Sequence, residues 1–217
     1  LELLAESLGM VEKSNLLIIT GPQGSGNHLF SKLFNLHPDV YGWDMEKYWV
    51  GHHTEPFSEY WTDPSKLEYF NWGQSNYYIT SISCPYFKFK NPQIPKYKEF
   101  IEEAKKYSNI KIALLGRDSS ILTYQQMRVR KKHTTPIAFK EFEYIHTLNP
   151  YYLSFELLFL YKQNYLKKVS NDLQFPIETM SKKFEEILRK NSNHKYIKYL
   201  LHTELDKDMY ISSHVES

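Results

Sequence analysis

The run Leu16-Leu17-Ile18-Ile19-Thr20, followed by Gly21-Pro22-Gln23-Gly24-Ser25-Gly26-Asn27-His28, constrains this chain more than any other stretch. The first five residues show no polar alternation, so they read as a strand buried on both faces, the kind that fills the middle of a parallel sheet. Gly21-Pro22 closes it. Beyond the glycines the period changes: Leu29, Phe30, Leu33, Phe34 and Leu36 recur at three- and four-residue spacing, which makes one apolar helix face that Pro38 ends. A strand, a small-residue turn and a helix in that order suit an anion, because glycines let backbone N–H groups converge and the helix start adds its positive end. The alternative for the same residues is a tight turn without a ligand.

The pattern recurs downstream. Tyr77 to Cys84 has the β-branched and aromatic content of a strand, Pro95 to Tyr107 reads as a helix, and Ile110 to Leu115 as a third strand. Gly116-Arg117-Asp118-Ser119 is a turn with good helix-capping residues, and Ile121 to Arg130 continues as a helix with a basic end. Tyr152 to Phe155 is a fourth strand candidate, with helical stretches near Leu160 to Leu173 and Ile177 to Leu188. Tyr41 to Asn76, rich in aromatic residues, Pro and Gly, has no sustained period and reads as a long irregular excursion. The expected fold is a single α/β domain over 1–217, with a mostly parallel central sheet flanked by helices and ligands at the carboxyl ends of its strands.

Composition removes several classes. With 217 residues, 41% hydrophobic and 24% charged, the chain can bury one sizeable core and lies away from the disordered profile. A formal net charge of +2 gives no electrostatic case for nucleic acid, so any anion site must be local. No apolar run approaches the ~20 residues that cross a bilayer, and no stable membrane insertion is expected. The one cysteine, Cys84, reads as a small buried residue. It has no internal partner, and together with the lack of a signal-peptide pattern this makes the cytoplasm the expected location. A start at Leu1 leaves room for an upstream segment.

The nucleotide-triphosphate form of the loop requires Lys and then Ser or Thr after its last glycine, where this chain has Asn27 and His28, so a kinase or ATPase is disfavoured. Gly24-Ser25-Gly26-Asn27-His28, the apolar helix and His37-Pro38 instead resemble the sulfotransferase branch of P-loop proteins, whose loop commonly reads Arg/Lys-Ser-Gly-Thr-Thr. Ile112-Ala113-Leu114-Leu115-Gly116-Arg117-Asp118 resembles the family's strand and Arg turn. Tyr152 to Leu158 looks like its late strand and acidic turn, and Asn193-His194-Lys195-Tyr196-Ile197 like part of its C-terminal donor-binding region.

The resemblance implies a P-loop fold and transfer of a sulfuryl group from 3′-phosphoadenosine 5′-phosphosulfate (PAPS) to a hydroxyl or amine of a small-molecule or carbohydrate acceptor, without a metal. Gln23, Gly24, Ser25, Gly26, Asn27 and His28 would hold the 5′-phosphosulfate, and Arg117 the 3′-phosphate. The family's serine eight residues beyond that Arg falls at Gln125, with Thr123 the nearest hydroxyl. The chain departs from the family at Gly24, where a basic residue is usual. His28 and Lys32, or His52 and His53 from the excursion, are the candidates to supply that charge. Glu46 is the candidate general base, with Asp44 and His52 as substitutes; the alternative for these carboxylates is ordinary surface charge. Without the basic residue, a relative that binds the donor and transfers nothing is the competing reading.

Overall fold

The computed structural model describes residues 13–45, 54–88, 91–198 and 200–201. The first strand, β1 (Ser14–Pro22), is buried from Leu16 onward. Both of its edges are paired, to β3 (Tyr77–Cys84) on one side and β6 (Ser108–Gly116) on the other, all parallel. Two shorter strands, β2 (Val40–Tyr41) and β7 (Tyr151–Ser154), close the sheet in the order β2-β3-β1-β6-β7. Five parallel strands put every carboxyl end on one edge. The chain visits β2 and β3 on one side of β1 and then crosses to β6 and β7, so the order reverses beside β1, where open α/β sheets form their ligand crevice.

Helices cover both faces: α1 (Asn27–Phe34), α2 (Tyr97–Ala104), α3 (Ser119–Arg130), α4 (Thr135–Thr147), α5 (Phe155–Leu173, kinked at Lys162) and α6 (Lys182–Leu188). Alternation along β1 sends Leu17 and Ile19 toward Phe30, Leu33 and Phe34 of α1 and Leu158, Leu166 and Val169 of α5. Leu16 and Ile18 face the other way, toward Phe100 and Ile101 of α2 and Phe142 and Ile145 of α4. The all-apolar run of β1 is thus the direct consequence of having a helical layer on each side.

Where the sequence showed only an aperiodic excursion, the described part is a packed aromatic layer. It holds a 3-10 helix, Pro64–Tyr69, and buries Phe57, Tyr60, Trp61 and Phe70 on the sheet. Trp61 lies stacked on Phe100 with ring centres 3.8 Å apart, and its indole N–H donates to Thr80 Oγ1 at 3.1 Å. Four elements escaped the sequence reading. Strand β2 and the antiparallel pair β4 (Tyr86–Lys88) and β5 (Asn91–Gln93) are too short to show alternation. Helix α4 buries Ala138, Phe142 and Ile145 at helical spacing but exposes Ile137 and Phe139, which blurs its apolar stripe.

Trp61→Ala removes both the stack and the indole hydrogen bond, and a loss of ~3–5 kcal/mol is expected in a urea titration. Trp61→Phe keeps the ring and leaves Thr80 without its donor, so a loss of about 1 kcal/mol is expected.

Candidate functional site

Two short-range hydrogen bonds and two glycines at positive φ shape the turn after β1. Ser25 N–H donates to Pro22 O at 3.0 Å, Gly24 takes φ +89°, and Gly26, at φ +115°, caps α1 by accepting from Phe30 N–H at 3.0 Å. A Cβ on Gly24 would lie 2.0 Å from Gln125 Oε1, and one on Gly26 2.7 Å from the Phe155 ring. Glycine at both positions lets the loop lie flat against α3 and the start of α5. No side chain caps α1, so the first N–H groups of that helix and its positive end remain available to an anion.

The loop is held from behind by Gln126, which is wholly buried. Its Nε2 donates to Gln23 O at 2.8 Å while its Oε1 accepts from Thr134 N–H at 2.8 Å and Thr135 Oγ1 at 3.2 Å. Thr134 Oγ1 in turn donates to Gln23 Oε1 at 3.1 Å. The Gln23 side chain therefore belongs to the corner between α3 and α4 rather than to the anion cradle. Around the first turn of α1 the situation is the opposite. Ser25 Oγ, both amide atoms of Asn27 and Ser31 Oγ are buried and have no hydrogen-bond partner. Buried polar groups in folded proteins are overwhelmingly paired, so four such atoms at one helix start point to a polar ligand.

Arg117, at the end of β6, reaches this loop. Its Nη1 donates to Gly24 O at 2.6 Å, its Nε and Nη2 to Asn193 Oδ1 at 3.0 and 2.5 Å, and Nη2 also to Ser192 Oγ at 3.1 Å. The guanidinium lies 4.1 Å from the centre of the Phe155 ring. Glu156 closes the circle: its Oε1 accepts from Asp118 N–H at 3.1 Å and from Asn193 Nδ2 at 3.2 Å. The Gly-rich loop, the Arg-Asp turn, the acidic turn and the Asn193 segment, far apart in sequence, thus meet in one network. Asp118 Oδ1 also accepts from Ile121 N–H at 2.9 Å and caps α3.

The other sequence candidates are spread around this centre. Thr123 pairs with His133 Nε2 at 3.3 Å and shares with Arg117 and Pro22 the lining of a cavity of about 380 Å³. The His28 ring meets Trp43 edge-on at 5.4 Å, and Trp43 donates to Thr54 Oγ1 at 3.0 Å. Lys32 lies in the last turn of α1. Glu46, His52 and His53 lie outside the described residues. Cys84 is buried and its thiol is pushed up to about 12 by that burial, as befits an inert packing residue.

One carboxyl escaped the sequence reading. Glu55, next to Thr54, accepts from Phe57 N–H at 2.9 Å. It lies beside Thr80 and the Ser81 amide on β3, just past the point where β2 stops pairing. Burial pushes its pKa from 4.5 up to about 8, against the hydrogen bonds from Thr80, Phe57 and Ser81 that favour the charged form. Its proton is therefore held more tightly than that of an exposed glutamate. Nothing in its aperiodic surroundings distinguished it from the acids nearby.

An acid raised in this way binds its proton more tightly folded than unfolded. Stability is highest below the unfolded value and falls as pH rises from about 4.5 through about 8, by roughly 1.4 kcal/mol per unit of difference. Denaturant titrations at about pH 5 and about pH 9 should show wild type losing stability that Glu55→Gln retains. Equal losses in both proteins would show that Glu55 ionises without cost. Compared with protein-family models and with curated proteins, the chain matches none, so the chemistry of the site rests on its own geometry.

Proposed function

We propose that this protein is a PAPS-dependent sulfotransferase of P-loop type, moving a sulfuryl group to a hydroxyl or amine of a small-molecule or carbohydrate acceptor. The observation that carries the reading is the open start of α1, with unpartnered Ser25, Asn27 and Ser31 around it and Arg117 joined to the loop at Gly24 O. An oxyanion offers acceptors to the N–H and hydroxyl groups there, and the helix end favours its charge.

PAPS supplies an activated sulfuryl group on a 5′-phosphate. Fixed N–H groups at the loop would stabilise the charge that grows on that phosphate as the bond to sulfur breaks, with no reorganisation at the moment of transfer. The acceptor must lose a proton as it attacks, and a base within hydrogen-bond reach is required. Glu46 is the residue expected in that role, with Asp44 and His52 as substitutes, while His28, in the first turn of α1, is a candidate to supply positive charge at the loop. Arg117 serves the reading in a modified form. Its donors are already directed at Gly24, Ser192 and Asn193, so it acts first as a clamp on the loop and can offer the donor only part of its planar fork.

A second reading, binding of the donor without transfer, is favoured by Gly24 itself, which brings no basic side chain to the loop and whose φ of +89° suits glycine. The two readings separate in a radiolabelled sulfate-transfer screen over sugars, phenols and amines: one sulfated acceptor removes the second.

Calorimetry with 3′-phosphoadenosine 5′-phosphate should detect binding, and no heat at millimolar ligand refutes both readings. Arg117→Ala frees the loop carbonyl and removes charge-assisted hydrogen bonds worth ~1.5 to 3 kcal/mol, so affinity should fall roughly tenfold to a hundredfold. Arg117→Lys restores charge without the fork and should recover only part.

A further inference from the structure

On the face of the sheet that carries α4, the cover over β6 and β7 is incomplete. Leu114 of β6 is buried, while Tyr152, its register partner on β7, is 62% exposed. Strand β7 is the last of the sheet on that side. Two helices wall the gap: Ser119, Leu122 and Thr123 line it from α3 and Phe139, Phe142 and His146 from α4, each set at the spacing of one helix face. The space between them is the cavity of about 380 Å³ that Thr123 shares with Arg117 and Pro22.

Its chemistry changes with depth. Leu114, Leu122 and Phe142 are buried and give it an apolar floor. At the mouth Phe139 is 64% exposed, so the ring that blurs the apolar stripe of α4 is turned to this cavity. A single exposed ring is ordinary on a protein surface, but Phe139 and Tyr152 flank one hollow whose floor is apolar. The polar groups there come as two imidazole–hydroxyl pairs. Thr123 Oγ1 meets His133 Nε2 at 3.3 Å, and His146 Nδ1 shares a hydrogen bond of 2.7 Å with the Tyr152 hydroxyl, the two rings stacked 25° apart. Such groups can give or accept a hydrogen bond. Arg117 has its Nε, Nη1 and Nη2 directed at Asn193, Gly24 and Ser192, and among the described residues no carboxylate lines the cavity. A sugar would leave hydroxyls unpaired on this floor, whereas an aromatic ring gains from it.

We propose that this cavity is a binding site for a small, uncharged aromatic molecule of one or two rings. The ring lies between Phe139 and Tyr152 over the floor of Leu114, Leu122 and Phe142, and a hydroxyl or ring N–H meets one of the imidazole–hydroxyl pairs. The volume is near the lower end of the ~300 to 1,000 Å³ usual for ligand sites, which suits a compact ring system and excludes an extended chain. The inference goes beyond the sulfotransferase reading and does not rest on it. Leu114 and Phe142 lie on the α4 face of the sheet, opposite the face that α1 covers, and the site takes its ligand with no nucleotide present.

Indole, a flat bicycle with one N–H, is the probe. Calorimetry of wild type should give saturable one-site binding of indole and no heat with glucose. Phe139→Ala, at an exposed position, should remain folded by circular dichroism and weaken indole about tenfold, while Phe139→Tyr should restore most of the affinity. Thr123→Phe fills the cavity from α3 and should take binding below detection. Absence of indole binding to wild type at millimolar concentration overturns the site, as does wild-type affinity in either folded variant, Phe139→Ala or Thr123→Phe. A concentration-dependent dimer in sedimentation that Phe139→Asp disperses would place a second copy of the chain over the hollow and overturn it equally. Failure of nucleotide binding or of sulfate transfer, by contrast, strikes the sulfotransferase reading alone.

Discussion

Everything at the candidate site depends on the immobility of β1. A strand with a parallel partner on each edge and a helical layer on each face has no direction in which to relax, and its last residues inherit that constraint. The turn from Gly21 to Gly26 therefore starts from a fixed point. It is then held by Gln126 behind and by Arg117 beside it. Preorganised N–H groups interact well with an anion because the fold has already borne the cost of aligning them.

The two elements that secure the loop differ in kind. Gln126 uses both ends of its amide on backbone and hydroxyl groups of Gln23, Thr134 and Thr135, in a buried network with no formal charge. Arg117 reaches across on the other side with a charged group stacked against Phe155. The neutral tie sets the path of the backbone, while the charged one adds positive potential where an anion would approach. Ser154, whose hydroxyl accepts from Leu157 N–H, caps the start of α5 and so fixes the turn that carries Phe155 and Glu156 into position, while the kink at Lys162 lies further along that helix.

Much of this was legible in the sequence because it depends on local pattern. The unbroken apolar run of β1, the glycines after it and the change to helical spacing at Leu29 announced strand, turn and helix, and the parallel sheet followed. Arg117 was legible in the turn that follows the third predicted strand. What stayed hidden depends on long-range packing. Gln126 differs from its neighbour Gln125 only in which way each faces, a matter settled by α4 and the loop. Glu55 is one acid among several in an aperiodic stretch, and only the short reach of β2 gives it a buried place beside β3. The hydrogen bond from Arg128 to the Tyr196 hydroxyl links residues 68 positions apart, beyond any window in which periodicity operates.

The conformation of Gly24 has a consequence for how this loop can change over time. The Gln125 carbonyl stands 2.0 Å from where a Cβ at position 24 would lie, and it is the far end of a side chain that can swing away; the backbone cannot, because Gly24 sits at φ +89°. Glycine is therefore held at 24 by its own conformation before any neighbour is counted, and homologues of this chain that keep the turn should keep that glycine whatever stands at 125, whichever anion the loop has come to hold.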